Sequence, residues 1–423
     1  MTRLLYSLLT LLALPLIFVR LWWRGRRNPA YRLRWRERLG GYVTPPLSQS
    51  CVVFHAVSVG EVHAAVPLVE SFLRQHPQQS VVITTTTPTG SARVNELFGT
   101  RVHHVYLPYD LPWCLNGFFR QFRPALLVLL ETELWPNLLA RCERERCPML
   151  LVNARLSAKS FASYQRIAGL TRDMLQRLAA VSAQATADGE RFVQLGLPRA
   201  RLAINGSLKF DVSVQQDKIA QAQSWKSQWQ GRPVWIAAST REGEDELVLQ
   251  AHRQLLKQLP SALLVLVPRH PERFGLAVEL AKQRGLSVVQ RSSGIGVTPA
   301  TQVLVGDTMG DMHLYYPLAD VAFVGGSLVP TGCQNVIEAA ALGLPVVTGP
   351  SLYNFQAASD ALREAGAMQV VMDAGELAAK LAELLLQPQR RLAMANAARA
   401  VVAANIGATS RTLALVESYG FNH

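Results

Sequence analysis

A carboxylate that follows a buried strand and opens a helix stands where an enzyme can accept a proton from a bound hydroxyl. The segment HAVSVGE (55–61) has that form and ends on Glu61. A structural role is open to Glu61 too, because a helix start favours negative charge. Glu131 and Glu133, in ETELWPN (131–137), follow another apolar run. On a strand they would share a face, and they suit loop support as well as chemistry. The stretch 325–338 is richer. Gly325, Gly326 and Gly332 allow a ligand to approach the backbone closely. Asn335 then opens a helix whose free amides can hold a phosphate, and Glu338, one turn on, offers a carboxylate to sugar hydroxyls. Asn335 and Glu338 also fit a variant capping box, which is compatible with a ligand role. Arg269 can neutralise a phosphate or carboxylate, whereas Arg273 suits the covering of a helix surface.

Several chemistries are absent. No P-loop, dinucleotide-binding G-x-G-x-x-G or G-x-S-x-G pattern occurs. None of the nine histidines forms a pair with metal-ligand spacing, and His103 and His104, adjacent on a strand, should face opposite ways. No metal site is expected. The five cysteines are odd in number and fit no zinc or redox spacing, so they read as buried apolar groups in a reducing compartment.

The elements that must carry these residues alternate. Apolar runs at 51–57, 81–87, 102–107, 125–131, 148–153, 178–184 and 202–208 predict strands, with helical patterns between most of them. After a break at 210–216 the pattern restarts at 233–239, 262–268, 286–292, 301–307, 320–327 and 344–350, and closes with helices at 375–387 and 389–404. Continuous apolar strands between helices imply parallel sheets covered on both faces. An α/β chain of 423 residues therefore divides into two facing Rossmann-like domains, 41–212 and 213–423, behind an N-terminal segment 1–40. Ligands in such sheets sit beyond the carboxyl ends of the strands, so a cleft between the domains is the expected site.

The formal charge is +13, and residues 1–40 supply +8 of it. That concentration argues against nucleic acid bound across a folded face. Leu4 to Val19 form an apolar run between Arg3 and Arg20, with Trp22 and Trp23 beyond it. Arg24, Arg26, Arg27, Arg32, Arg34, Arg36 and Arg38 follow, interleaved with Tyr31 and Trp35. Cations and indoles at an apolar boundary suit anionic headgroups. No small-residue cleavage site follows, and the arginines oppose translocation, so a retained membrane anchor is expected over a signal peptide. The run either spans or lies in the interface, with the catalytic body on the cytoplasmic side.

Nine blocks, HAVSVGE (55–61), TTTTPTGS (84–91), HVYLPYD (104–110), ETELWPNLL (131–139), NARLS (153–157), GSLKFD (206–211), VPRHPERF (267–274), GDTMGD (306–311) and FVGGSLV (323–329), resemble in order and spacing the 3-deoxy-D-manno-octulosonic acid (Kdo) transferases of Gram-negative lipid A assembly. The resemblance runs from the anchor almost to the end of the chain. It implies a B-type glycosyltransferase fold at the bacterial inner membrane. It also implies metal-independent, inverting transfer of Kdo from CMP-Kdo to a tetraacylated, bisphosphorylated lipid A precursor, with no further cofactor. The family's base falls on Glu61. Its CMP contacts fall on Pro268 and Arg269, on Met309, Gly310 and Asp311, and on Asn335, Val336, Ile337 and Glu338. Lys209 is placed to meet the sugar carboxylate, and Glu131 is a second substrate-side candidate.

The chain departs from the family pattern at three points. It has GCQN (332–335) for GGHN, Arg241 for a histidine after Ser239 and Thr240, and Asp311 for a glutamate. Gln334 can donate a hydrogen bond but carries no proton charge. A catalytically altered relative, or a transferase or epimerase of this fold using another nucleotide sugar, is the alternative. Glu61→Gln changing nothing measurable would mark a non-catalytic lipid-binding protein, and a uridine donor that binds without cytidine competition would mark another nucleotide sugar.

Overall fold

The structure, a computed structural model, describes residues 2–26, 28–43, 46–211, 216–229 and 231–420. Arg27 and most of the expected break (residues 212–215) lie outside the described residues. The chain forms two compact units, Met1–Asp211 with Ile406–His423, and Val212–Asn405.

The first unit contains β1 (Cys51–His55), β2 (Ser80–Thr85), β3 (His103–Tyr106), β4 (Pro124–Leu130), β5 (Met149–Ala154), β6 (Ala180–Ala183) and β7 (Leu202–Ile204). They form one parallel sheet in the order β3-β2-β1-β4-β5-β6-β7. The second unit contains β8 (Val234–Thr240), β9 (Leu263–Pro268), β10 (Val288–Gln290), β11 (Val303–Val305), β12 (Val321–Val324), β13 (Val346–Thr348) and β14 (Met368–Val370). Its parallel order is β10-β11-β9-β8-β12-β13-β14. The central strands are buried on both faces, as all five residues of β1 show, because helices cover each side, whereas the edge strands β7 and β10 are less covered. Both sheets reverse direction of winding once, between β1 and β4 and between β8 and β12. In a doubly wound sheet the loops at such a switch point are where ligands bind.

Two expected boundaries move. Residues 406–420, expected with the second half, return to the first unit. The Asp211 carboxylate accepts the main-chain N–H of Gly407 at 2.7 Å and of Thr409 at 2.5 Å. Leu413 and Val416 of the helix Ala408–Ser418 pack in the core with Leu68 and Phe72. Residues 1–40 are likewise no separate body. Arg38, 3% exposed, donates to the Thr86 carbonyl and stacks 4.1 Å over the Tyr106 ring. Arg34 pairs with Glu37 and donates to Ser91 and to the His104 carbonyl. Both were expected to face lipid. They instead tie the arginine-rich segment to the ends of β2 and β3, leaving Arg20, Arg24, Arg26, Arg32 and Arg36 exposed. The helix Arg3–Arg24 is long and apolar enough to cross a membrane.

Candidate active site

At the first switch point β1 hands over to the helix Val59–Gln75, whose N-cap is Ser58. Ser58 Oγ accepts the Glu61 N–H at 3.4 Å. The Glu61 carboxylate reaches back to accept the Val57 N–H at 2.7 Å and the Ser58 hydroxyl at 3.2 Å. The helix-start role open to Glu61 is thus filled, with its carboxylate closing the first turn. Glu61 is half-buried, and its carboxyl is pushed up to about 7, first by burial and then by the charges of Glu131 and Glu133.

Those two carboxylates follow β4, on the other side of the switch point. Glu131 has φ +59°, so the strand-face expectation for the pair fails. The chain turns sharply at Glu131, a conformation that costs a non-glycine residue about 1 kcal/mol or more. Glu133 is also pushed up to about 7 by burial and by Glu131. Glu131 lies 3.5 Å from Lys209 Nζ. Lys209 is positioned in turn by Asn153, at φ +52°, whose side-chain oxygen accepts the neighbouring Leu208 N–H at 3.1 Å. The first unit therefore gathers Glu61, Glu131, Glu133 and Lys209, three carboxylates and one ammonium, beyond the ends of β1, β4 and β7.

In the second unit the loops after β8 and β12 flank the switch point. Gly325 was expected to admit a ligand; a Cβ there would instead stand 2.7 Å from Thr240 Cα. Its bareness lets the β12 end pass the β8 end. Gly326, at φ +73°, would meet the Gly332 carbonyl. A residue that sequence reasoning missed holds this loop. Glu244, fully buried, accepts four main-chain N–H groups: Arg241 at 3.0 Å, Gly326 at 2.5 Å, and Ser327 and Leu328 at 2.9 Å. Burial pushes its carboxyl up while the amides pull it down. In sequence it resembles the neighbouring helix-start acids Asp245 and Glu246, and no signal of type or spacing sets it apart.

Pro268 ends β9, and the Arg269 N–H donates to the Thr240 carbonyl at 3.0 Å. Asn335 caps the helix Val336–Ala341 by accepting the Ile337 N–H at 3.0 Å, and its amide donates to Glu338 at 2.9 Å. The Val336 and Ile337 side chains are wholly buried, so only their main chain can meet a ligand. Burial raises the Glu338 carboxyl, partly offset by Asn335 and by the positive fields of His313 and Arg269; those two side chains therefore share its surroundings. Met309 is 56% exposed, and Gly310, at φ +78°, has open space where a side chain would be. Asp311 is fixed by an ion pair with Lys218 and by the Thr308 hydroxyl at 2.7 Å. Burial pushes its carboxyl up, but these two partners outweigh it and hold it below the usual range. Of the departures, Cys333 is buried beside Ser359, the Gln334 N–H donates to the Gly325 carbonyl at 2.9 Å, and Arg241 lies 2.5 Å from His270. Arg273 pairs with buried Asp245 at 2.5 Å. Among the described residues no group of three or more His, Cys, Asp or Glu could hold a metal ion.

A family model described as 3-deoxy-D-manno-octulosonic-acid transferase (kdotransferase) matches residues 33–212. The 3-deoxy-D-manno-octulosonic acid transferase of Haemophilus influenzae is 40% identical over 99% of this chain and 99% of its own. That of Bordetella pertussis is 41% identical over 96% of each. A solved glycosyltransferase from Rickettsia africae, 12% identical, covers 89% of this chain and 100% of its own with a TM-score of 0.54, a likeness of fold alone. The two parallel sheets thus have a neighbour among glycosyltransferases, and with relatives of this identity over nearly its whole length the chain belongs to the Kdo transferase family and is a Kdo-transferring glycosyltransferase.

Proposed function

We propose that the protein transfers Kdo from CMP-Kdo to the tetraacylated, bisphosphorylated lipid A precursor, with Glu61 as general base, at the cytoplasmic face of the bacterial inner membrane. The observation that carries this reading is Glu61 itself, a half-buried carboxylate at a switch point with its titration pushed up to about 7, where a base is most effective. The acceptor oxygen attacks the anomeric carbon of Kdo as the bond from that carbon to the CMP phosphate oxygen breaks. Glu61 takes the hydroxyl proton, and CMP leaves with the bonding pair. One displacement of this kind inverts the anomeric centre, as the family resemblance implies.

Lys209, steadied by Glu131, meets the Kdo carboxylate. In the second unit Arg269 and the main chain from Asn335 to Ile337 meet the CMP phosphate, where charge develops as the bond breaks. Glu338 takes the ribose hydroxyls. The main chain at Met309 and Gly310 reads cytosine, with Asp311 fixed by Lys218 and Pro268 setting the path into Arg269. Gln334 supplies a neutral donor in place of the family's histidine. The exposed arginines after the anchor attract the phosphorylated acceptor, an attraction that salt would weaken.

Donor identity is testable by measuring CMP release from CMP-Kdo in the presence of acceptor and a chelator. Transfer that persists with EDTA, with CMP competing and UDP not, supports the reading; UDP competing as well as CMP would overturn the donor.

Two further outcomes follow. The ratio kcat/KM should rise with pH through an inflection near 7 and level off above it, since the base must be ionised to accept a proton. Glu133 titrates in the same range and interacts with Glu61, so the limb belongs to the pair. Removing that neighbouring charge in Glu133→Gln should move the inflection to lower pH. Lys209→Met should lower kcat/KM by about 10- to 100-fold, the loss of one charge-assisted hydrogen bond, and steady-state kinetics in both substrates would check it.

A further inference from the structure

The helix Arg3–Arg24 has two unlike faces. Tyr6, Ser7, Thr10, Ala13, Leu14, Ile17, Phe18 and Leu21 are each at least partly covered, and they recur at the three- and four-residue spacing of a single helix face. Leu4, Leu8, Leu12, Leu16 and Val19, opposite, are 53–82% exposed. The covered face is held to the first unit at both ends. Near the N-terminus, the Ser7 hydroxyl and the Asn137 side chain hydrogen-bond at 2.9–3.2 Å. The Asn137 and Leu138 N–H groups donate to the buried Asp110 carboxylate at 2.9 and 2.7 Å. Near the C-terminus, the Phe18 ring packs 5.0 Å from Trp35 and 6.0 Å from Tyr109. From Tyr6 to Leu21 the contact runs for about 22 Å at 1.5 Å per residue.

We propose that this helix lies in the plane of the membrane interface, its leucine face in the acyl boundary of an anionic phospholipid surface, and does not cross the bilayer. The inference rests on the reading that the protein works at a membrane. An upright helix holding these contacts would carry Asn137 and the Asp110 carboxylate to the far side of the hydrocarbon, where buried polar groups are costly. An in-plane helix keeps both its ends and the body on one side, with the apolar face at the depth of an interfacial helix. Charge complementarity selects the surface. Arg20, Arg24, Arg26 and Arg32 are exposed at the C-terminal end beside Trp22 and Trp23. Arg26 and Arg32 stack on Trp22, and Arg24 on Tyr31. A cleft of about 350 Å³ lined by Trp23, Arg24, Arg26, Asn28 and Tyr31 opens there, a fit for an anionic headgroup.

The five native cysteines are buried, so introduced ones can be labelled selectively. The full chain carrying Thr2→Cys, shown to retain transfer activity, is added to preformed phosphatidylethanolamine–phosphatidylglycerol vesicles, and a membrane-impermeant maleimide is supplied outside. Equal labelling before and after vesicle lysis is expected, with nitroxides at Leu4→Cys, Leu12→Cys and Val19→Cys at similar shallow depth. Labelling only after lysis, or a depth maximum at position 12, would overturn the in-plane helix while leaving membrane attachment intact. Failure to float with vesicles would overturn the membrane reading itself. Binding to phosphatidylcholine vesicles should be weaker by about ten-fold or more; equal binding would overturn the anionic partner.

Discussion

Glu61→Gln is expected to lower Kdo transfer by about 10²- to 10⁴-fold, the usual worth of a positioned general base. The amide keeps the shape, and its oxygen can still accept the Val57 N–H that the carboxylate holds at 2.7 Å. It cannot take the acceptor's proton. CMP affinity should be unchanged, because the proposed nucleotide contacts all belong to the second unit. Stability should change in the opposite sense to activity. The folded Glu61 carboxyl is raised from 4.5 to about 7. Between those values the unfolded chain has released its proton while the folded chain keeps it, so the wild type loses stability as pH rises through this window. Glu61→Gln removes the group, and its melting temperature relative to wild type should therefore improve from pH 5 to pH 8. An inactive variant that also melts lower at pH 8 would indicate a structural role for Glu61.

Glu244→Ala should have the largest effect outside the groups proposed for catalysis. One wholly buried carboxylate accepts four main-chain N–H groups, three of them from the successive residues Gly326, Ser327 and Leu328. A buried donor left without a partner costs about 1–3 kcal/mol. Water entering the vacated space would satisfy part of the set, so a net loss of about 3 kcal/mol or more is expected. Glu244→Gln keeps one acceptor oxygen and should fall between. Thermal unfolding would give the stability change, and hydrogen exchange at 326–328 would locate it. CMP affinity should weaken too, because this loop leads into Asn335. Unchanged melting and unchanged CMP affinity would contradict the role assigned to Glu244.

The central strands were legible because they are buried on both faces, and such strands are written as unbroken apolar runs. The run at 124–130 is one example, interior at six of seven positions. A three-residue strand with Gln369 at its centre, β14, carries too little of that pattern and was missed. Order along the chain also located the strand ends, and with them Glu61, Glu131 and Arg269. Relations that depend on distant residues were not legible. Asp211 draws the C-terminal helix back to the first unit through two main-chain bonds that no local pattern encodes. Arg34 and Arg38 belong to an arginine-rich segment typical of a lipid-facing surface, yet Tyr106, Ser91 and Thr86 claim them. Gly325 and Gly326 read as room for a ligand, but the neighbouring backbone occupies that room. The turn at Glu131 depends on a positive φ that its residue type does not announce.

The most direct test of the transferase reading is mass spectrometry of the acceptor lipid. The purified full chain would be incubated with CMP-Kdo and the tetraacylated, bisphosphorylated precursor in detergent, with a chelator present and Glu61→Gln run in parallel. On this reading the lipid gains one or more whole Kdo masses with the wild type and essentially none with the variant, while both proteins bind CMP. A lipid that gains no Kdo with the wild type, or gains it equally with Glu61→Gln, would contradict it.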